Sequence, residues 1–206
     1  MIKEACVETF EEAILAEKQG ANRIELCSDL ANDGLTPSFD LMKKTISELK
    51  IPVMVMIRPR AGDFVYSDDE IIQMKSEIDL AKKAGAFGVV FGLLTTGNKI
   101  DKKNTTILCE YADPLPVTFH KAIDITEDPV EGVMILKKIA GINRILTSGG
   151  KPTAREGAVT LIQMIKAGND KIIILVAGKV NDKNIEIIEE RIGASEFHGR
   201  KIVGEL

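Results

Sequence analysis

The chain has 206 residues, with 27 Lys plus Arg against 31 Asp plus Glu and a formal net charge of −4. That length predicts one domain, residues 1–206, and the mild acidity argues against nucleic acid or an anionic membrane as partner, since both need a basic patch. With 45% hydrophobic and 28% charged residues the composition is that of an ordinary globular chain, and aromatics at 4% with no Trp make its core aliphatic.

In chain order one unit recurs: a short apolar run, a cluster of turn-forming residues, then an amphipathic stretch. The apolar runs begin near Ile2, Arg23, Pro52, Ala86, Pro116, Asn143, Lys171 and Ser195, roughly 20–35 residues apart, the size of a βα unit. Helical periodicity is expected from Thr9 to Gln19, Phe39 to Leu49, Asp68 to Ala84, Pro129 to Ala140, Thr153 to Ala167 and Asn181 to Arg191. Asp101 to Tyr111 is a weaker helical stretch because it contains Asn104, Thr105 and Thr106. Gly20, Gly85, Gly141, Gly168 and Gly193 stand as stop signals.

Eight strands alternating with helices leave two architectures, an open doubly wound sheet and a closed (β/α)8 barrel. The strand number favours the barrel. The glycine cluster of a dinucleotide-binding turn is also missing, because Val7-Glu8-Thr9-Phe10 follows the first strand. The expectation is an α/β TIM barrel whose final helix is short or missing, since only Arg200 to Leu206 follow the last strand. Part of the first and last strands would then lie bare, and a second subunit is expected to cover that seam in a homo-oligomer.

Three cysteines, Cys6, Cys27 and Cys109, do not make a closed disulfide framework. A reducing, cytoplasmic compartment is expected. Charges occupy the N-terminal positions where a secretory signal needs an apolar run, and the longest apolar stretch, from Ala86 to Leu94, is too short to span a bilayer.

Alternation along a barrel strand sends successive side chains to the helices and to the interior. The helix side is dry, so charged residues belong inside. Val53, Val55 and Ile57 sort outward, and Met54, Met56 and Arg58 inward. The same parity sends Glu4, Cys6, Glu25, Cys27, Thr118, His120, Ser148, Glu196 and His198 inward. The only two histidines, two glutamates, an arginine and two thiols thus converge on the C-terminal mouth, where this fold places its sites. Plainer explanations exist for some of them: a compensating ion-pair network for the charges, small core residues for the cysteines, filler for Met54 and Met56.

Two chemistries fit such a mouth. Glu4-Ala5-Cys6 and Glu25-Leu26-Cys27 repeat one spacing on adjacent strands, so the thiolates of Cys6 and Cys27 could share a soft Cu(I) ion, with Met or His as a further ligand. Alternatively, the mouth binds a small phosphorylated or carboxylated metabolite as an enzyme of unknown reaction. Arg58, Ser148, Gly149, Gly150 and Gly178 would then hold the anion. Glu4, Glu25, His120, Asp124 and His198 would move protons beside Arg58. Lys121 is turned away from the side of His120 by parity. A non-catalytic scaffold ranks below both, having no need to concentrate ionisable groups.

The residues quoted so far, with further runs, resemble the CutC family of copper homeostasis proteins. The matching runs include Glu4-Ala5-Cys6-Val7-Glu8, Gly20-Ala21-Asn22-Arg23-Ile24-Glu25-Leu26-Cys27 and Gly34-Leu35-Thr36-Pro37-Ser38. The most specific is Val55-Met56-Ile57-Arg58-Pro59-Arg60-Ala61-Gly62-Asp63-Phe64-Val65-Tyr66-Ser67-Asp68. Later come Val90-Phe91-Gly92, Val117-Thr118-Phe119-His120, Arg144-Ile145-Leu146-Thr147-Ser148-Gly149-Gly150 and Glu196-Phe197-His198-Gly199. The resemblance implies a cytoplasmic, oligomeric barrel with a copper role, in which Cys6 and Cys27 are the proposed ligands. Lys121 and Ile123 stand where the family typically has Arg and Phe, and Lys179 where it typically has Gly.

Overall fold

A computed structural model describes all residues, 1–206. Eight parallel strands close into a barrel in the order β1 to β8, each paired to its sequence neighbours and β8 back to β1. The strands are β1 (Ile2–Val7), β2 (Arg23–Leu26), β3 (Val53–Met56), β4 (Gly88–Phe91), β5 (Val117–Phe119), β6 (Ile142–Thr147), β7 (Ile173–Val176) and β8 (Glu196–Gly199). Each begins within two residues of the expected start. This is the (β/α)8 TIM barrel read from the strand–helix alternation.

Seven helices cover it: α1 (Phe10–Lys18), α2 (Phe39–Glu48), α3 (Asp68–Ala84), α4 (Lys102–Ala112), α5 (Pro129–Leu136), α6 (Ala158–Gly168) and α7 (Ile185–Ile192). Local chemistry sets where they start. Thr9 and Ser67 close capping boxes with Glu12 and Glu70, which satisfies N–H groups the first turn leaves free. The stretch with weak periodicity is a full helix, α4, because Asp101 caps Asn104 and Thr105 faces the core. Two helices start later than periodicity suggests. Before α6, the Thr153 hydroxyl accepts from the Glu156 N–H and holds a turn. Before α7, Asn181 Oδ1 accepts from the N–H groups of Lys183 and Asn184, an Asx turn in place of helix. α5 ends at Leu136 instead of Ala140.

Burial divides the molecule into an outer and an inner core. The outer one, between strands and helices, joins 47 buried residues, among them Ala5, Val7, Val53, Val55 and Ile57. Inside the barrel lie two small clusters, Cys6–Cys27–Met54–Met56–Val90 and Leu146–Leu175–Ala177. Alternate residues of β1 and β3 therefore separate as the two-residue strand period requires.

The seam between β8 and β1 is not bare. The tail after β8 bridges back to Asn181 through Lys201, and Ile202 is wholly buried. Val203 and Leu206 pack on the outer core, and the Gln19 amide donates to the Glu205 carbonyl. Seven residues without a helix thus pack onto the outer core beside the seam, through Ile202, Val203 and Leu206. The expectation that a second subunit must cover it loses its reason. No helix is long and apolar enough to cross a membrane.

Candidate functional site

The interior holds two layers of polar side chains. The lower one, toward the N-terminal ends of the strands, is an ion-pair chain. The Arg23 guanidinium contacts both Glu4 and Glu196, and Arg144 Nε donates to Glu196 at 2.9 Å. Burial by itself would push the Glu4 carboxyl up, yet the His198 hydrogen bond and the Arg23 charge hold it below the usual range. Arg23 and Arg144 were not among the residues sorted inward. Parity could have found both, since Arg23 shares the face of Glu25 and Arg144 that of Ser148.

Above this layer the two strand ends carrying Glu-x-Cys meet β8. Cys6 is level with Glu25 in the β1–β2 register, and Glu4 with His198 in the β1–β8 register. His198 Nδ1 lies 2.9 Å from Glu4 Oε1 and its Nε2 3.7 Å from Glu25 Oε2. Cys27 Sγ lies 3.6 Å from Glu25 Oε2. The donor atoms of Cys6, Glu25 and Cys27 are all within 4.8 Å of one another, and so are those of Glu4, Glu25 and His198. All three cysteines are free thiols.

Proximity sorts the protons within this cluster. A hydrogen bond with the Cys27 thiol, aided by His198, draws the Cys6 thiol down to about 5 against the effect of burial. Cys27 is driven well up by its hydrogen bond with Cys6 and by burial. Burial likewise raises Glu25, with Cys6 and Glu4 adding to it. For His198, burial acts downward, but Glu25, Cys6 and Glu4 together carry it well above the ordinary imidazole value. These directions favour a Cys6 thiolate beside a His198 imidazolium, with Cys27 holding its proton.

A cavity of about 640 Å³ opens over this cluster, and Cys6, Glu25, Met56, Arg58, His120 and His198 all line it. Cys27 is deeper. It has no exposed surface, and Gly34 lies over it so closely that a Cβ there would come 3.2 Å from its sulfur. On the other side of the cavity, the Arg58 guanidinium donates to the carbonyls of Asn32, Gly34 and Gly62. His120 follows β5 and rests against Gly92, where any Cβ would meet its ring at 2.4 Å. Lys121 also lines this cavity, contrary to the parity argument, because alternation ends with β5 and residues 121–125 form a 3-10 turn.

The glycine turn after β6 is closed from within. Asp124 accepts from the N–H groups of Ser148 and Gly150 and from the hydroxyls of Thr147 and Ser148. The Gly149 N–H donates to Thr147 Oγ1. Asp124, proposed to move protons, and Ser148, Gly149 and Gly150, proposed to cradle an anion, instead satisfy one another. Gly178, the remaining expected anion contact, is packed against Ser148 and the Thr153–Ala154 backbone.

With this geometry in place, comparison with known proteins is decisive. The CutC family model matches residues 1–203. The chain belongs to the CutC family. Copper homeostasis protein cutC homologs of Mus musculus and Homo sapiens are each 45% identical over 197 residues, 96% of this chain and 72% of theirs. A crystal structure of CutC from Streptococcus agalactiae superposes with a TM-score of 0.92 at 32% identity, covering 98% of this chain and 99% of that one. Dihydrodipicolinate synthase DapA-2 from Bacillus anthracis matches at 16% identity and a TM-score of 0.67, over 96% of this chain and 69% of that one, a likeness of fold alone.

Proposed function

We propose that this CutC-family chain is a copper homeostasis protein that holds Cu(I) between the Cys6 and Cys27 sulfurs. The observation that carries the reading is the packing of two free thiols and the Glu25 carboxyl within 4.8 Å of one another. Cu(I) is soft and prefers thiolate donors, and Met54 and Met56 extend the sulfur-rich wall. The fit is thus one of donor chemistry. Copper is cargo here: it would enter from the cavity side at Cys6, the more accessible thiol, and reach Cys27 beneath. A cytoplasmic location belongs to the same proposal, because the two thiols bind Cu(I) only while a reducing compartment keeps them from joining.

An anaerobic Cu(I) titration against a competing chelator tests it. The Cys6→Ser/Cys27→Ser double variant is expected to lose about 100-fold or more in affinity, while Cys109→Ser, on an outer helix, leaves it unchanged. Equal affinity in the double variant and the wild type would overturn the proposal.

A further inference from the structure

Arg58 is a buried cation without a counter-ion. It is 3% exposed, its three hydrogen bonds all go to backbone carbonyls, and its Nε–H has no partner. Buried charges are ordinarily paired. The arginines of the lower layer follow that rule, Arg23 and Arg144 each contacting a carboxylate.

A second donor stands beside it in the same state. His120 is 3% exposed, and its Nδ1 accepts the Ala122 N–H at 3.2 Å. That bond fixes the tautomer, so the proton resides on Nε2, which has no partner. Burial, with the Arg58 charge adding to it, lowers the imidazole to about 3, so it stays a neutral donor. The Phe64 ring lies against both groups, 4.8 Å from the imidazole centre and 5.0 Å from the guanidinium carbon, and it lines the cavity with them.

We infer that Arg58 Nε–H and His120 Nε2–H form a binding site for a small oxyanion, reached from the mouth cavity when the Phe64 side chain turns aside. One uncompensated positive charge and two unpartnered N–H groups call for an acceptor that is negatively charged, which a carboxylate or a phosphate supplies. The cavity has the volume of a small-molecule site, far more than a single metal ion fills. The site is separate from the thiol pair and does not depend on copper. It also differs from the turn after β6, whose N–H groups are already engaged by Asp124.

The chain's two histidines make the test direct. Copper-free protein labelled with 15N-histidine is titrated with sodium phosphate and, separately, with sodium glycolate at constant ionic strength. Either anion is expected to shift the His120 Nε2 signal saturably below about 50 mM, a range that covers millimolar Kd values, and to leave His198 in place. Saturation by phosphate alone identifies a phosphorylated ligand class, and by glycolate alone a carboxylated one. Phe64→Leu is expected to lower the midpoint several-fold, and an unchanged midpoint would overturn the role given to Phe64. In a parallel thermal melt the same anion is expected to raise the Tm of the wild type but not of His120→Asn, which retains a side-chain amide to fill the space. No saturable shift with either anion, or equal thermal stabilisation of wild type and variant, would overturn the site.

Discussion

The two polar layers inside this barrel use similar side chains to opposite ends. In the lower layer, Arg23 and Arg144 meet the carboxylates of Glu4 and Glu196, and the charges cancel within the chain. In the upper layer, Arg58, His120 and Glu25 each keep a buried polar atom without a partner. A compensated network serves the fold, whereas an uncompensated one is a standing cost that a ligand can remove. Within the barrel, the buried cation that the chain leaves without a counter-ion is Arg58, in the upper layer.

The sharpest way to break this contrast is to uncouple the lower layer. Glu196→Ala leaves the buried Arg23 and the half-buried Arg144 each short of a partner and should destabilise the protein by about 3–5 kcal/mol in urea denaturation. A loss below 1 kcal/mol would mean the layer is wetter than its burial implies.

Packing at the upper layer comes next. Gly92→Ala would set a Cβ 2.4 Å from His120 Nδ1, and the displaced ring should lower stability by about 2–3 kcal/mol and shift the His120 ring signals while sparing those of His198.

Acid sharpens the comparison further. His120 is held near 3 by burial and by Arg58, so the unfolded chain takes up its proton first as pH falls. Its neutral form stabilises the fold fully above the unfolded value, and that contribution is lost between there and the folded value. Relative to His120→Asn, wild type should therefore lose about 2 kcal/mol between neutral pH and about pH 5, read from urea midpoints. A constant gap would contradict a buried neutral imidazole. The smallest effect is expected outside both layers: Ile187→Ser, at a side chain 69% exposed, should change stability by no more than about 0.5 kcal/mol.

The barrel and the inward sorting of its polar side chains were legible in the sequence because both rest on periodicity; parity gives no depth, and Glu4, expected at the mouth, lies in the lower layer with Arg23. Alternation placed Cys6 and Cys27 among the inner residues and Val53, Val55 and Ile57 among the outer ones. Where strands end, so does the rule, as Lys121 shows by lining the cavity that parity had denied it. The satisfied glycine turn was illegible for another reason. Which acceptor the Ser148 and Gly150 N–H groups find depends on Asp124, more than twenty residues away in the chain, and no local pattern encodes that meeting. The packing beside the seam is similar, since three apolar residues of a seven-residue tail carry no periodic signature.

The copper proposal itself faces one direct measurement, X-ray absorption at the copper edge on anaerobically loaded protein. Two sulfur neighbours in the wild type, replaced by lighter atoms in Cys6→Ser/Cys27→Ser, is the result expected. A first shell of nitrogen and oxygen alone in the wild type would contradict it.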